Sequence, residues 1–382
     1  MATNVLGKYD PIFYAQEGLI ALEKALGLAG RIHRGFDAER RSFNKGQTIS
    51  IRRPSVFTAA QAPSVAQAVA TEYVDITLDQ WQEVKFGLTD QELAYTGEQI
   101  INDHIRPAAY ALADKIDADL CTLYKYIPWY YDLSGTPTVA DVTGPRNVMF
   151  NNNVPVFDEA NMHYMMCGSL AHSLMALSAF GEFQGAGQAG VETQQRGTLG
   201  RKFGMECFAN QNTPTHTMGA MADPAGAVLA GGWLKGATTV TIDDLTDTQH
   251  VHAGDTFSIA GYTQRYAFTA DTTVASNALT AVPIYPALKE AVSAEAVVTI
   301  RMDTHVANLA FHRNWAALAM APLSEMGNEL GAKIASITDP VTGLSLRSRI
   351  YYIGNSSEVD VALDVLYGYK ILDGNLACRA CG

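Results

Sequence analysis

The sequence predicts an α+β chain built from several modules, and three observations carry the prediction. Two strand-period segments enclose a low-complexity tip, a long helical stripe follows them, and a later stretch of short Thr- and Val-rich strands interrupts the second half. At 382 residues with 48% hydrophobic content, the chain has material for two or three cores.

The elements follow in order. Between residues 11 and 34, Ile12, Leu19, Ile20, Leu26 and Ile32 recur near helical spacing, while Gly18, Gly27 and Gly30 weaken the helix; this reads as an arm. From Ser42 to Ala94 the pattern is that of a long hairpin. Gly46–Arg53 alternates Ile49 and Ile51 with Thr48 and Ser50, and Val74–Leu88 alternates Val74, Ile76 and Leu78 with Asp75, Thr77 and Asp79. Residues 54–71 between them are mostly Ala, Gln, Ser and Val. A two-stranded ribbon of this length is marginal alone in water, so it is expected to lean on another chain; the other reading is a hairpin packed on its own domain.

Thr89 and Glu92 then form a capping-box pattern that opens a helix running to about Ile127. Ile101, Ile105, Ala108, Leu112, Ile116, Leu120, Leu123 and Ile127 make one stripe, with Asp103, Asp114, Asp117 and Lys125 expected to face away. Pro107 lacks a backbone donor and should kink this helix or start its second half, whose roughly 20 residues span about 30 Å. Residues 128–157 are turn-rich. A second helix is expected from Asp158 to Phe180, with a Met162, Met165, Met166, Leu170, Leu174 and Leu177 stripe that reads as core, followed by a flexible loop over 181–200 and a short strand at Lys202–Asn210.

Within 226–302 the texture changes. Candidate strands at Thr238–Ile242, Thr256–Ala260, Tyr266–Ala270 and Ala296–Arg301 alternate with turns, the pattern of a small antiparallel barrel or sandwich inserted into a host. The host resumes with a helical or mixed stretch at Asn308–Leu323 and final strands at Leu344–Tyr352, Asp360–Leu372 and Asn375–Ala380.

Charge argues against a nucleic-acid-gripping surface. With 27 basic and 39 acidic residues the net charge is −12, which repels phosphate. One basic stretch stands out, Arg31, Arg34, Arg40, Arg41, Lys45, Arg52 and Arg53, interrupted by Asp37 and Glu39; it suits an acidic neighbour or is a solvated face. No secretory start or membrane-length apolar run is read, so a reducing compartment and five free thiols are expected. Cys378 and Cys381 form a CxxC that lacks both the further ligands of a zinc site and the following helix of a redox motif.

Chemistry-bearing motifs are few. Gly185, Gly187 and Gly190 spell GxGxxG, but in a glycine-rich loop after a predicted helix, without the βαβ context that gives the motif its meaning. His250 and His252, with Asp247 or Asp255, are a conceivable metal site in a turn-rich stretch where exposed polar residues are expected anyway. His163 and His172 do not face each other on the expected helix, and Asp243 and Asp244 sit in a turn. No nucleophile, base and orienter assemble, so no catalytic, cofactor or metal residue is nominated.

The order and text of these segments resemble the major capsid proteins of tailed bacteriophages with the Hong Kong 97-type fold, in the podovirus branch whose coat proteins carry an inserted β-barrel. The resembling pieces are GQTISIRRP, VDITLDQWQEVKFGLTDQELA, RPAAYALADKIDADL, GRKFGMECFANQNTPTHT, AGDTFSIAG, NLAFHRNWAALAMAPL, DPVTGLSLR and DVLYGYKILDGNLACRA. The resemblance implies an N-terminal arm (1–41), an extended β-hairpin loop (42–90), the spine helix of a peripheral domain (91–130), an axial domain (131–225), an inserted β-barrel (226–302) and the completion of axial and peripheral domains (303–382). It implies a structural, non-catalytic protein without cofactors, located in the virion and assembled in the host cytoplasm. Its implied partners are its own copies in hexamers and pentamers, a scaffolding protein, a portal and weakly held packaged DNA, with no membrane. Candidate inter-subunit contacts on the loop are Arg40, Arg41, Lys45, Arg52, Arg53, Asp75, Asp79 and Glu83. The alternatives are a β-rich surface or carbohydrate-binding protein, and an enzyme built around His250 and His252.

Overall fold

A computed structural model describes residues 15–20, 27–34, 48–53, 61–62, 66, 72–89, 104–182, 185, 187–221, 224–323, 325, 332–338, 344–355 and 358–382. The chain is mixed α+β and divides into two compact units, Met1–Asp117 with Ala317–Leu372, and Ala118–Ala316 with Asp373–Gly382. Among the described residues no helix is long and apolar enough to cross a membrane.

The first unit is organised by the strand Glu358–Ile371. Ser345–Ile353 pairs with it antiparallel and in turn carries Lys333–Thr338, while Gln80–Thr89 and Ala316–Ala321 also neighbour it. The ribbon is Thr48–Arg53 against Glu72–Thr77, antiparallel in unbroken register from Thr48↔Thr77 to Arg53↔Glu72. Its base does not wait for another chain. Ile49, Ile51 and Ile76, with Leu78, pack on Ala317, Ala319 and Ala321 of the same molecule. Small side chains on that strand leave a flat seat that the isoleucine face can cover closely. Gly368 serves the same fit, because a Cβ there would collide with the Thr77 carbonyl oxygen.

The single strand expected over Val74–Leu88 is two strands. It breaks at Leu78–Asp79, and Gln80–Thr89 leaves the ribbon to pair with Tyr367–Glu358. The alternation continues through the break, so periodicity does not mark the change of partner. Thr89 is the last residue of that strand, and residues 90–103, where the capped helix was expected to begin, lie outside the described set.

The segment 27–34 belongs to this unit's core and is not a loose arm. Leu28, Ala29 and Ile32 are fully buried, and His33 bridges to Ala317 with Leu318 N–H donating to His33 O at 3.1 Å. Its anchor is Asp117, expected to face solvent but in fact buried. The carboxylate accepts the amides of Gly27 (2.9 Å), Leu28 (3.2 Å) and Ala29 (3.1 Å), three donors that would otherwise be buried without partners. Asp117 lies on the helix Arg106–Cys121, where Pro107 is the second residue and costs no internal hydrogen bond. The stripe Ile105, Ala108, Leu112, Ile116 and Leu120 is buried, and a 3-10 turn, Thr122–Tyr126, continues it through Leu123.

The second unit holds a mixed sheet in the order Tyr130–Asp132, Ala377–Cys381, His305–His312, Met162–Met166, Met205–Ala209, Gly200–Lys202. The helix expected from Asp158 to Phe180 is mostly not one. Met162–Met166 is a central strand with all five residues buried, and the helical parts are a short 3-10 turn, Glu159–Asn161, and the α-helices Gly168–Met175 and Ser178–Gly181. A strand buried on both faces has no alternation, so its methionines read equally well as a helical stripe. His305–His312 and Ala316–Ala321 are likewise strands where a helical or mixed stretch was expected, and the loop over 181–200 contains the helix Gln188–Arg196.

Between Thr215–His216 and His305 the chain makes a closed barrel, in the order Thr239–Asp243, Leu279–Tyr285, Arg265–Phe268, Thr256–Ile259, Val297–Ile300, Ala225–Val228. Phe257 lies at its centre, stacked on Phe268 (4.7 Å) and Tyr266 (5.5 Å) with Trp233 edge-on at 6.4 Å. The points of departure and return are neighbours, since His216 pairs with His305 and Thr215 with Val306.

Candidate functional site

The residues nominated on the loop fall into two groups. Arg40, Arg41 and Lys45 lie outside the described residues, and Arg52 and Arg53 are placed by register opposite Tyr73 and Glu72. The acidic members engage their own chain. Asp75 accepts from Ser50 Oγ at 2.6 Å, while its backbone carbonyl accepts from Lys370 Nζ at 3.0 Å. Asp79 accepts from Gln80 Nε2 at 3.1 Å. Glu83 pairs with Arg349 at 2.9 Å, and Arg349 also reaches the buried Asp364, which Arg347 clamps through Nε (2.9 Å) and Nη2 (2.5 Å). The half-exposed Trp81 completes this network by donating Nε1–H to Asp364 at 3.1 Å.

The motifs read for chemistry are dispersed. Gly187 precedes the helix Gln188–Arg196, Gly190 is inside it, and a helix rather than a strand comes before. The His250 and His252 rings lie edge to face at 4.9 Å, but Asp255 is engaged by His216 and Asp247 by the Asn277 amide. Among the described residues no group of three or more His, Cys, Asp and Glu side chains converges as a metal site would. Cys378 and Cys381 stand three apart on one strand and so point to opposite faces. Burial pushes both thiols up, and Cys381 Sγ accepts from Arg301 Nη1 at 3.1 Å. Cys207 is pushed up to about 12 by burial. An open cavity of about 790 Å³ on the barrel is lined by Asp244, Asp247, Asn277 and Glu295.

A dense polar arrangement among the described residues, one not foreseen from the sequence, lies where the barrel meets its host sheet. Tyr124 OH lies 3.1 Å from His216 Nδ1, and His216 Nε2 lies 2.9 Å from Asp255 Oδ1. The carboxylate acceptor places a hydrogen on Nε2, so in the neutral ring Nδ1 accepts from the phenol. Asp255 Oδ2 also accepts the amides of Gly219 (3.0 Å) and His252 (2.7 Å). Gly254, at φ +106°, lets the turn pass against the His216 ring. Arg379 donates to Ile127 O and Gly254 O from a fully buried position. Nearby, Arg265 (4.1 Å) and Arg301 (3.9 Å) both lie over the Tyr130 ring, and Arg301 also pairs with Asp132 and Asp303. Asn375 accepts from Trp129 Nε1 (2.9 Å) and Gln264 Nε2 (3.1 Å), and Tyr285 OH accepts the Gly374 amide (3.0 Å). Desolvation raises the Tyr124 phenol, and the relay is enclosed by packed chain, so it positions elements rather than meeting a substrate. One sequence signal pointed here, the lone Arg379 in the otherwise apolar run Ala377–Cys381.

No family model matches the chain, and no curated protein matches it. Among solved structures it is similar to a chain of Mycobacterium phage Che8, at 14% identity and TM-score 0.49, over 93% of this chain and 90% of that one. It is also similar to a chain of the mature capsid of bacteriophage PhiM1, at 8% identity and TM-score 0.41, over 88% and 82%. A virus-like particle from Pyrococcus furiosus is similar at 9% identity and TM-score 0.42, over 99% and 100%.

Proposed function

We propose that the chain is the major capsid protein of a tailed bacteriophage, a non-catalytic subunit that assembles into an icosahedral shell around double-stranded DNA. What carries this reading is the agreement between the ordered segments that resemble Hong Kong 97-type coat proteins and the elements they form. GQTISIRRP and the VDITL return make the ribbon, RPAAYALADKIDADL makes the long helix, and AGDTFSIAG lies in a barrel that interrupts a host sheet between adjacent strands. In the finer layout, residues 1–41 are the arm, tied to its own subunit through residues 27–34, 42–90 the extended loop, 91–130 the spine, 131–225 and 303–382 the axial and peripheral parts, and 226–302 the insertion.

With its base seated on its own alanines, the ribbon has residues 54–71, between Arg53 and Glu72, to reach a neighbouring copy. The basic stretch from Arg40 to Arg53 supplies contacts that weaken with salt. Shell subunits gain from many modest contacts, because misplaced copies dissociate while the closed lattice holds by multivalency. A net charge of −12 keeps contact with packaged DNA weak. Partners are further copies in hexamers and pentamers, a scaffolding protein and a portal, met in the host cytoplasm.

Size-exclusion chromatography with electron microscopy tests the reading. Capsomer- or shell-sized particles are expected, and deletion of residues 54–71 should abolish them while leaving the monomer's melting temperature within a few degrees. A chain that stays monomeric under all assembly conditions, or that turns over a substrate, would overturn it.

A further inference from the structure

Where the inserted barrel meets its host, buried charge lies at the seam. Arg379, on the host strand Ala377–Cys381, donates Nε–H to Ile127 O (2.9 Å) and Nη1–H to Gly254 O (2.7 Å), so one guanidinium ties the host to a turn of the barrel. Its Nη2 has no hydrogen-bond partner among the described residues. His305 opens the return strand and is buried beside His216, ring centroids 5.2 Å apart. Its Nδ1 donates to the Asp303 carbonyl at 2.9 Å, which fixes the hydrogen there and leaves Nε2 as a bare lone pair, also without a partner among the described residues.

We propose that this cluster is an acid-released latch, which holds the barrel against its host sheet near neutral pH and opens when His305 takes a proton on Nε2. The inference does not depend on the shell reading. The groups facing His305 are His216 from the departing strand, Arg301 and Asp303 from the returning chain, and Arg379 from the last strand. Behind His216 stand Tyr124 from the 3-10 turn and Asp255 from the barrel turn, where the His252 amide and Lys125, beside Gly254, also lie. A proton there adds a positive charge beside Arg379 and Arg301. The carboxylates offer little relief. Asp255 is already shared by His216 and two amides, and Asp303, 44% exposed and 3.5 Å from Nδ1, is held by Arg301 Nη2 at 2.6 Å.

Burial, and after it Arg379, lower the His305 pKa from 6.5 to about 4. An opened junction restores the ordinary value, so the open form binds the proton more readily. The closed form therefore keeps its full advantage above pH 6.5 and loses it as pH falls from about 6.5 to about 4. The closed-to-open ratio falls by up to about 10²-fold over that window. The barrel's closed apolar core carries no such group and stays folded.

Hydrogen exchange on the full chain between pH 7 and 4.5, corrected for intrinsic rates, tests the latch. Amides of residues 216–219, 252–255 and 304–306 should lose at least about tenfold protection in acid, while Phe257, Phe268 and Ile284 hold theirs. His305→Asn keeps a donor for Asp303 O without the titrating ring, and should flatten the response. Simultaneous loss across junction and barrel, or an unchanged response in H305N, overturns the proposal. Should H305N not fold, the His305 ring resonance of the unsubstituted chain decides: junction opening that tracks its titration supports the latch, and opening at an unrelated pH overturns it.

Discussion

The ribbon and the barrel are both antiparallel β structure, yet they hold their shape in opposite ways. The barrel closes on itself, so every strand has two neighbours and its aromatic residues fill one private core. The ribbon has one apolar face and one exposed face, Thr48, Ser50, Asp75 and Thr77, and its place is set by an alanine strand and a glycine that belong to other parts of the chain. Closure makes an element independent of its host. An open ribbon is only as well placed as the surface it borrows.

Three substitutions test this contrast. Phe257→Ala, which empties the middle of the aromatic stack, should cost about 3–5 kcal/mol and melt the barrel. Hydrogen exchange should show Thr256–Ile259 unprotected while Thr48–Arg53 keeps its protection; equal loss in both would show that the barrel is not independent. Asp117→Ala strands the amides of Gly27, Leu28 and Ala29, at about 3 kcal/mol. It should expose residues 27–34 to limited proteolysis and, through the bridge from His33 to Ala317, loosen the ribbon's seat without moving the barrel's melting transition. Gly368→Ala sets a methyl against the Thr77 carbonyl and should cost about 1–3 kcal/mol. Its signature is faster exchange at Ile49, Ile51 and Ile76 alone; an unaffected ribbon would mean that the close approach at Gly368 does not set its position.

What the sequence made legible follows the same division. Thr239–Asp243 and Thr256–Ile259 of the barrel keep residues in contact with water, so their pattern reports them and both fall near their expected places, whereas Ala377–Cys381 also falls near its expected place although it is buried throughout. Met162–Met166 and Ala316–Ala321 do not alternate because both faces are dry, and alanine's high helix propensity is overridden by the sheet around it. Asp117 was assigned to solvent on the rule that charges face out, a rule with no knowledge of three backbone donors arriving from residues 27–29. The junction was the least legible part. Tyr124, His216, Asp255, His305 and Arg379 are far apart in sequence and share no spacing, and only the fold brings them together.

The adjacency of His216 and His305 has a consequence in the statistics of the chain itself. To the host, the whole excursion over residues 217–304 is a loop whose ends meet on one ladder. The entropy of closing a loop grows only with the logarithm of its length, so exchanging the barrel for a turn of a few residues would relieve the host of roughly 3 kcal/mol at most. In polymer terms the insertion is nearly weightless to the sheet that carries it, and what binds the two together is the set of side-chain contacts between them, from His216 beside His305 to Tyr285 against Gly374 and Tyr126.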